Sequence, residues 1–505
     1  MEREKIIEMT PNHFTRYGIK EELDRIIHDD ASVEAMWARC AKKYADMTAI
    51  SDLDKNYTYA QLDGDVARMR GVLKANGIKK GDFVGMLIPN SYAFVKTFLA
   101  IVTSGAVAVL LPHQLEEKAV YGLNAKFSCK ALVYDNATAE KVRLASSLPI
   151  TLINDEAEAE AVEPVQSNKN DPCAILFTGG TTGKSKGALL SHANVLRGTI
   201  NGCYGYPNIY AQRYLLVLPL THVFGLIRNT LTVLYTGSVL RICRNPKDMF
   251  REMGAFKPTF LILVPALAEM GINLSRQLKA GANLFGGELR YIISGASSVP
   301  PHLIKEYAEI GIALLAGYGL TESSNLVSGN VETLRKPDSV GLPYPGQSLK
   351  IVDGELWIKG DHVMMGYYGE DEANKLAFED GWFKTGDLVR IDDEGYFYIV
   401  GRIKEIIVLD SGEKVSPAEV EAAFCTPDYM NDAMVYSERN EAGRQTLVLE
   451  VVVRPGFEVG KQSVIADMNK INATLPTYAR VGKIIVRDED FPRSPSMKKL
   501  RRGNQ

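Results

Sequence analysis

The residues from Phe177 to Gly187 read Phe-Thr-Gly-Gly-Thr-Thr-Gly-Lys-Ser-Lys-Gly. Glycines at that density let a backbone approach a ligand closely and turn several N–H groups into one concavity. Hydroxyls add donors, and Lys184 and Lys186 add positive charge. The combination suits a polyphosphate. Gly183-Lys184-Ser185 looks like the end of a Walker A loop. That motif needs a glycine five positions before Gly183, where Thr178 stands instead, so the spacing fails. The segment follows the apolar run Ala174–Phe177 and precedes a second apolar run that ends at Ser191, a helix-capping residue.

Four further segments carry chemistry. Gly317-Tyr-Gly-Leu-Thr-Glu322 ends a strand-like run with a carboxylate, and a Glu at the C-terminal end of a sheet strand can hold Mg²⁺ on a triphosphate. Trp382-Phe-Lys-Thr-Gly-Asp387 places an Asp after a glycine turn, where it could accept from ribose hydroxyls. Gly401-Arg402-Ile-Lys404 falls at a change of texture, and the run from Pro492 to Arg502 is basic and broken by proline. Read singly, these segments are also a tight turn, a surface turn, a structural salt bridge and a solvated tail. His222, in His-Val-Phe-Gly after an apolar strand, reads singly as a satisfied core histidine.

The elements that must position these residues are legible as alternating helix and strand. Leu62, Val66, Met69 and Val72–Leu73 recur at helical spacing and predict a helix over Gln61–Asn76. Phe83–Pro89, Val107–Leu111, Tyr214–Leu218, Phe260–Val264 and Tyr291–Ile293 are short apolar runs suited to strands buried on both faces. The expected class is therefore α/β: a large N-terminal domain of parallel-rich sheets plus a β part that begins near Ile351. From Gly401–Lys404 onward a smaller α+β pattern follows, with helices at Pro417–Phe424 and around Val464–Leu475 and strands at Leu447–Val453 and Lys483–Val486. Two domains are expected, 1–402 and 403–505. The acidic stretch Asp155–Glu163 reads as a solvated loop.

Composition removes other classes of function. Lys plus Arg number 58 against 61 Asp plus Glu, a formal charge of −3, which argues against a nucleic-acid footprint or a polybasic membrane binder. The six cysteines are scattered singly, without metal-ligand spacing. The apolar stretch Phe98–Leu111 is too short to span a bilayer and reads as a buried helix running into a buried strand. The first residues lack the apolar core of a signal peptide, and a cytoplasmic location is expected.

In order, wording and interval, these segments together resemble the adenylate-forming superfamily, which includes acyl-CoA synthetases, adenylation domains of peptide synthetases and luciferases. The resemblance runs from Tyr57-Thr-Tyr-Ala-Gln-Leu62 through Pro219-Leu-Thr-His222 and Ser294-Gly-Ala-Ser297 to Lys498. It implies that ATP and a carboxylic acid give an acyl-adenylate and pyrophosphate, and that a thiol, coenzyme A, then takes the acyl group. It also implies that Thr178, Gly179, Gly180, Thr181, Thr182, Gly183 and Lys186 cradle the phosphates, and that Gly295, Ala296, Gly317 and Tyr318 pack about the adenine. By the same resemblance Thr321 contacts phosphate, Glu322 holds Mg²⁺, Asp387 binds both ribose hydroxyls and Arg402 lies beside the ribose. Lys404 becomes the hinge of a small mobile domain, Lys498 the catalytic lysine, and His222 a side chain between the acyl and nucleotide pockets.

Departures from the family pattern are few. Ser185 stands where Pro is common, and Met497 precedes two lysines where Gly is common, which leaves Lys499 as an alternative to Lys498. The stretch after Arg402 is one residue longer than in many members, so either Ser411 or Gly412 would line a pantetheine tunnel. The expected acyl walls, Val223, Gly225, Ala296, Ala316 and Gly317, are small or apolar and suit a medium- or long-chain fatty acid, with an aryl acid as the alternative. A carrier-protein phosphopantetheine is the alternative acceptor, and a second copy of the chain is a further partner. A nucleotide-binding protein that keeps the fold without catalysis is the remaining reading.

Overall fold

The computed structural model describes residues 4–7, 28–178, 186–205, 209–439, 445–493 and 499–501. By contact the chain divides into two units. The larger holds residues 8–348 and 358–383; the smaller holds 1–7, 349–357 and 384–505.

The larger unit is built on the apolar runs that the sequence displays. Phe83–Leu87, Val107–Leu110, Ala131–Tyr134 and Thr151–Asn154 join Pro172–Phe177 in a parallel array, completed by antiparallel Gly187–Ser191 and Gly366–Tyr367. Every residue of Val107–Leu110 is fully buried, as a strand covered on both faces requires. The helix before it, Tyr92–Thr103, buries ten of its twelve residues and is apolar over most of its surface for that reason. A second sheet of nine strands runs from Leu342–Pro343 through Ser328–Asn330, Ala313–Tyr318, Tyr291–Ser294, Phe260–Leu263, Arg213–Leu216, Val239–Ile242 and Thr48–Asp52 to Lys55–Thr58. Its central strands are parallel. The fold is thus α/β with parallel-rich sheets.

The predicted helix over Gln61–Asn76 spans Tyr59–Ala75, opened by a reciprocal cap between Thr58 and Gln61. The acidic stretch after Asp155 is exposed in its side chains, but its backbone is not simply solvated. The Val162 N–H donates to the Ala67 carbonyl, and the buried Arg70 donates to the Val162 carbonyl at 2.8 Å and to the Thr103 hydroxyl at 3.1 Å. Charge composition revealed the exposed side chains and gave no sign of the backbone contacts.

In the smaller unit Glu4–Ile7 pairs antiparallel with 349–352, and Asp387–Ile391 with Phe397–Arg402. Met430–Arg439, Gln445–Val453 and Lys483–Arg487 form a further sheet, covered by helices Pro417–Phe424 and Lys461–Thr474. Phe424, Leu449, Val451, Val464 and Met468, all fully buried, are the centre of its core. The helix over Pro417–Phe424 and the strand-rich texture of this part are as the sequence predicts.

Gly71 lies on the inner face of the helix Tyr59–Ala75, where an added Cβ would come within 1.9 Å of the Glu160 carbonyl oxygen. Gly71→Ala should lower unfolding free energy by about 1–3 kcal/mol, the usual cost of overpacking. Gly64→Ala, on the same helix with only Arg68 at 3.8 Å, should instead stabilise by about 0.5–1 kcal/mol. Urea denaturation midpoints of the two variants check both signs.

Candidate nucleotide-binding site

Strands Pro172–Phe177 and Gly187–Ser191 pair antiparallel, with Phe177 opposite Gly187. The Thr178 N–H donates to the Lys186 carbonyl at 2.9 Å and closes the base of the predicted phosphate loop. Gly179, Gly180, Thr181, Thr182 and Gly183 lie outside the described residues. The loop therefore leads into a second strand, and a helix, His192–Asn201, begins only after it, capped by Ser191 and Asn194. A Walker loop would enter its helix directly, so the failed spacing and the topology agree.

Gly295 and Gly317 are brought together by the parallel strands that precede them, which align Ser294 with Ala316. A Cβ at Gly295 would meet the Gly317 carbonyl oxygen at 2.9 Å and lie 3.6 Å from the Phe224 ring. Ala296, the next residue, is left-handed with φ +69°. Tyr318 ends its strand almost buried. The turn beyond it is tight, because any Cβ at Gly319 would overlap the Asn325 carbonyl. That close approach sets Thr321 and Glu322 on a single helical turn, Thr321–Ser323, where Thr321 is buried and Glu322 half-buried.

His222 is half-buried, and its Nδ1 accepts from the Phe224 N–H at 3.3 Å. It precedes a π-helix, Phe224–Leu231, a rare form that often marks functional sites. Arg228 and Asn229 are fully buried on the π-helix, and neither amide atom of Asn229 has a hydrogen-bond partner among the described residues.

Tyr367 is the residue that the sequence reading missed. Its hydroxyl donates to Glu322 Oε1 at 2.7 Å, and the Lys186 ammonium lies 4.7 Å from its ring centroid. Burial, with Glu322 beside it, raises the phenol well above its ordinary range, so it stays a donor at neutral pH. The strand Gly366–Tyr367 pairs with Leu189 and Ala188, and the Tyr367 backbone exchanges two hydrogen bonds with the Asn374 amide. One ring thus holds the predicted metal ligand and a predicted phosphate lysine. No spacing in the sequence announces it, since the three residues come from separate parts of the chain.

Asp387, Arg402 and Lys404 belong to the smaller unit. Asp387 is 1% exposed and lies in the strand Trp382–Ile391, which Gly386 kinks at φ +73°. Its Oδ1 is 2.8 Å from Arg402 Nε. Lys404 is exposed on a single turn, Ile403–Glu405. Lys498 lies outside the described residues, whereas both flanks of its segment are tied down. Arg493 and Lys499 form an antiparallel bridge and share Asp432 as ion-pair partner, at 3.2 and 2.8 Å. Arg501 makes a bidentate pair with Glu421 and reaches Glu405 at 2.9 Å.

The parallel-rich α/β sheets and the family match together make this an α/β enzyme of the adenylate-forming class. The chain belongs to the AMP-binding enzyme family, whose model matches residues 37–368. It is similar over nearly its whole length to proteins named as CoA ligases. An oxalate–CoA ligase of Arabidopsis thaliana is 29% identical, over 94% of this chain and 98% of the relative. A long-chain-fatty-acid–CoA ligase, FadD13, of Mycobacterium tuberculosis is 30% identical, over 89% and 92%. The crystal structure of ATP-bound MatB from Rhodopseudomonas palustris superposes with TM-score 0.82 at 25% identity, covering 92% of this chain and 97% of that one.

Tyr367→Phe deletes the hydroxyl and keeps the ring beside Lys186. It should raise the magnesium concentration needed for half-maximal acid-dependent pyrophosphate exchange by roughly tenfold to a hundredfold, the worth of one hydrogen bond to a charged group. Tyr367→Leu, which also removes the ring, should be weaker still. A magnesium titration of the two variants beside the parent chain measures this.

Proposed function

We propose that the chain activates a carboxylic acid with ATP and transfers the acyl group to coenzyme A, as an AMP-forming acid–CoA ligase. The observation that carries the reading is the convergence of Glu322 and Lys186 on Tyr367, beyond the strand whose Gly317 packs against Gly295. A cation and a carboxylate fixed at one place suit a metal-bound triphosphate.

In the first step an oxygen of the acid attacks the α-phosphorus, and the bond to pyrophosphate breaks. In the second the CoA sulfur attacks the acyl carbonyl, the bond to AMP breaks, and the thiol proton passes to solvent. Thr178, Lys186 and the loop Gly179–Gly183 hold the phosphates, with Thr321 beside them. Gly295, Ala296, Gly317 and Tyr318 receive the adenine, Asp387 the ribose hydroxyls, and Arg402 stands next to the sugar. Glu322 fits magnesium, because it offers a hard oxygen and one of its two oxygens is held in place by Tyr367. When bound, the ion neutralises triphosphate charge. Glu322 and the substrate phosphates would hold it together.

Lys498 is assigned the bridge between the acid and the α-phosphate, where two anions must meet and charge accumulates. Lys499 is a poorer candidate, since its ammonium is already engaged by Asp432. Residues 403–505 then act as a cap that turns about Lys404 between the half-reactions, as a lid exchanging one catalytic arrangement for another. His222 separates the acyl and nucleotide pockets. A cytoplasmic enzyme suits the reading. No helix of the described residues is long and apolar enough to cross a membrane. A carrier protein as acceptor, or a second copy of the chain as partner, remains compatible with this chemistry.

The acid is assigned first as a medium- or long-chain fatty acid, on the small and apolar residues Val223, Gly225, Ala296 and Ala316. Asn229 favours a second reading. Its buried amide has no hydrogen-bond partner among the described residues, and an acid bearing a polar or second carboxylate group would satisfy it if the acyl pocket extends along the π-helix.

The test is a panel of fatty, aryl and dicarboxylic acids with magnesium-ATP, following pyrophosphate and AMP with and without CoA. Catalytic AMP that requires CoA is the expected result, and Lys498→Ala should lose pyrophosphate release while still forming thioester from supplied acyl-adenylate. Exchange without CoA-dependent turnover supports a carrier protein as acceptor. No exchange with any acid would contradict the activity.

A further inference from the structure

We propose that Glu355 is a positioning residue of the ribose site, fixing the corner Thr385–Gly386–Asp387 so that the Asp387 carboxylate meets the sugar hydroxyls. The inference rests on the ribose reading of Asp387. All the residues concerned belong to the smaller unit.

Gly386 is left-handed inside a strand, so its N–H is turned away from ordinary ladder geometry and needs an acceptor elsewhere. Glu355 Oε1 supplies it at 2.8 Å. Glu355 Oε2 accepts the indole N–H of Trp357 at 2.9 Å. The neighbouring bonds run to the same short stretch. The Thr385 hydroxyl donates to the Leu356 carbonyl at 2.7 Å and accepts the Asp387 N–H at 3.1 Å. Each of the three residues of the corner is therefore held, directly or through Thr385, by residues 355–356.

Trp357 fixes Glu355 in turn. The indole is 6% exposed, and the ammonium groups of Lys350 and Lys384 lie 4.7 and 4.9 Å from its ring. Two cations on one indole hold the plane of the ring and with it the direction of the N–H. Glu355 thus stands between two donors, each fixed by its own surroundings. Only a side chain with an acceptor at both tips satisfies them, which an ionised carboxylate does. A glutamine has the same shape but offers one acceptor and one donor, so one of the two N–H groups must face an NH₂.

Glu355 touches neither reacting atom nor, on this account, the nucleotide. Its effect is transmitted through Gly386 to a carboxylate that is already buried and paired with Arg402. Misplacing that carboxylate should reduce the advantage of a nucleotide that has both hydroxyls over one that lacks either. A general loss of folding would weaken all nucleotides alike.

The experiment is calorimetric titration of the full chain with magnesium-ATP, its 2′-deoxy analogue and its 3′-deoxy analogue, which needs no knowledge of the acid. The parent chain should prefer ATP to both analogues, and Asp387→Asn should abolish the preference. Failure of either result defeats the ribose reading itself, independently of Glu355. Given those two results, Glu355→Gln should shrink the preference about fivefold, the worth of one hydrogen bond. Trp357→Phe keeps a ring between the lysines and deletes only the N–H, and it should shift the ratio the same way by a smaller factor. If Glu355→Gln binds all three nucleotides more weakly by one common factor, or keeps the parental ratio, the proposal is overturned. Should Glu355→Gln not fold, an unchanged ratio in Trp357→Phe overturns it equally.

Discussion

The hydrogen bond from Tyr367 to Glu322, with the Lys186 ammonium beside the same ring, is the contact on which the proposed nucleotide site depends. A triphosphate and a carboxylic acid are both anions, and an enzyme that joins them must place positive charge where they meet and keep its own carboxylate from drifting into the way. A phenol hydroxyl that donates to Glu322 sets that carboxylate without cancelling its charge. The ring holds the lysine by its face and leaves the ammonium able to reach an anion. The strand that carries Tyr367 is only two residues long and survives by pairing with Gly187–Ser191, so the loop closed by Thr178 and Lys186 and the Glu322 turn share one anchor.

The corners proposed to face the ligand are set by the same kind of economy, in which close backbone approach replaces side-chain bulk. Gly295 against Gly317 and Gly319 against Asn325 bring neighbouring backbones to distances that no other residue permits. Gly386 turns its N–H toward Glu355 for a related reason, since only a left-handed residue makes that direction inexpensive inside a strand. Small residues in this chain are thus placed where backbone must be close to backbone, and charged residues are placed by the polar groups around them.

The alternation of apolar runs made the α/β class and the individual strands legible, because a strand buried on both faces must be apolar along its whole length, as Val107–Leu110 is. The helix Pro417–Phe424 was legible for a local reason as well, since a proline at its first position starts it. The Gly/Thr loop, Glu322 and Asp387 could be singled out because their chemistry is written in adjacent residues. Tyr367 and Glu355 could not, since each acts through partners from other parts of the chain, and a lone Tyr or Glu in a strand has no distinguishing signal. The acidic stretch after Asp155 is the exposed loop that its charge implies, while the hydrogen bonds from Arg70 and Val162 that hold its backbone to a helix leave no mark in the composition. The π-helix after His222 and its buried Asn229 were equally hidden, because residue spacing does not distinguish eight residues of π-helix from α-helix.

In the proposed first step an oxygen of the acid becomes bonded to the α-phosphorus of ATP. The most direct measurement uses an acid labelled with oxygen-18 in both carboxyl positions, followed by mass spectrometry of the products after complete turnover with CoA. Each AMP should carry one labelled oxygen in its phosphate, with one label retained in the thioester carbonyl. Unlabelled AMP, or label appearing in inorganic phosphate alongside ADP, would contradict it.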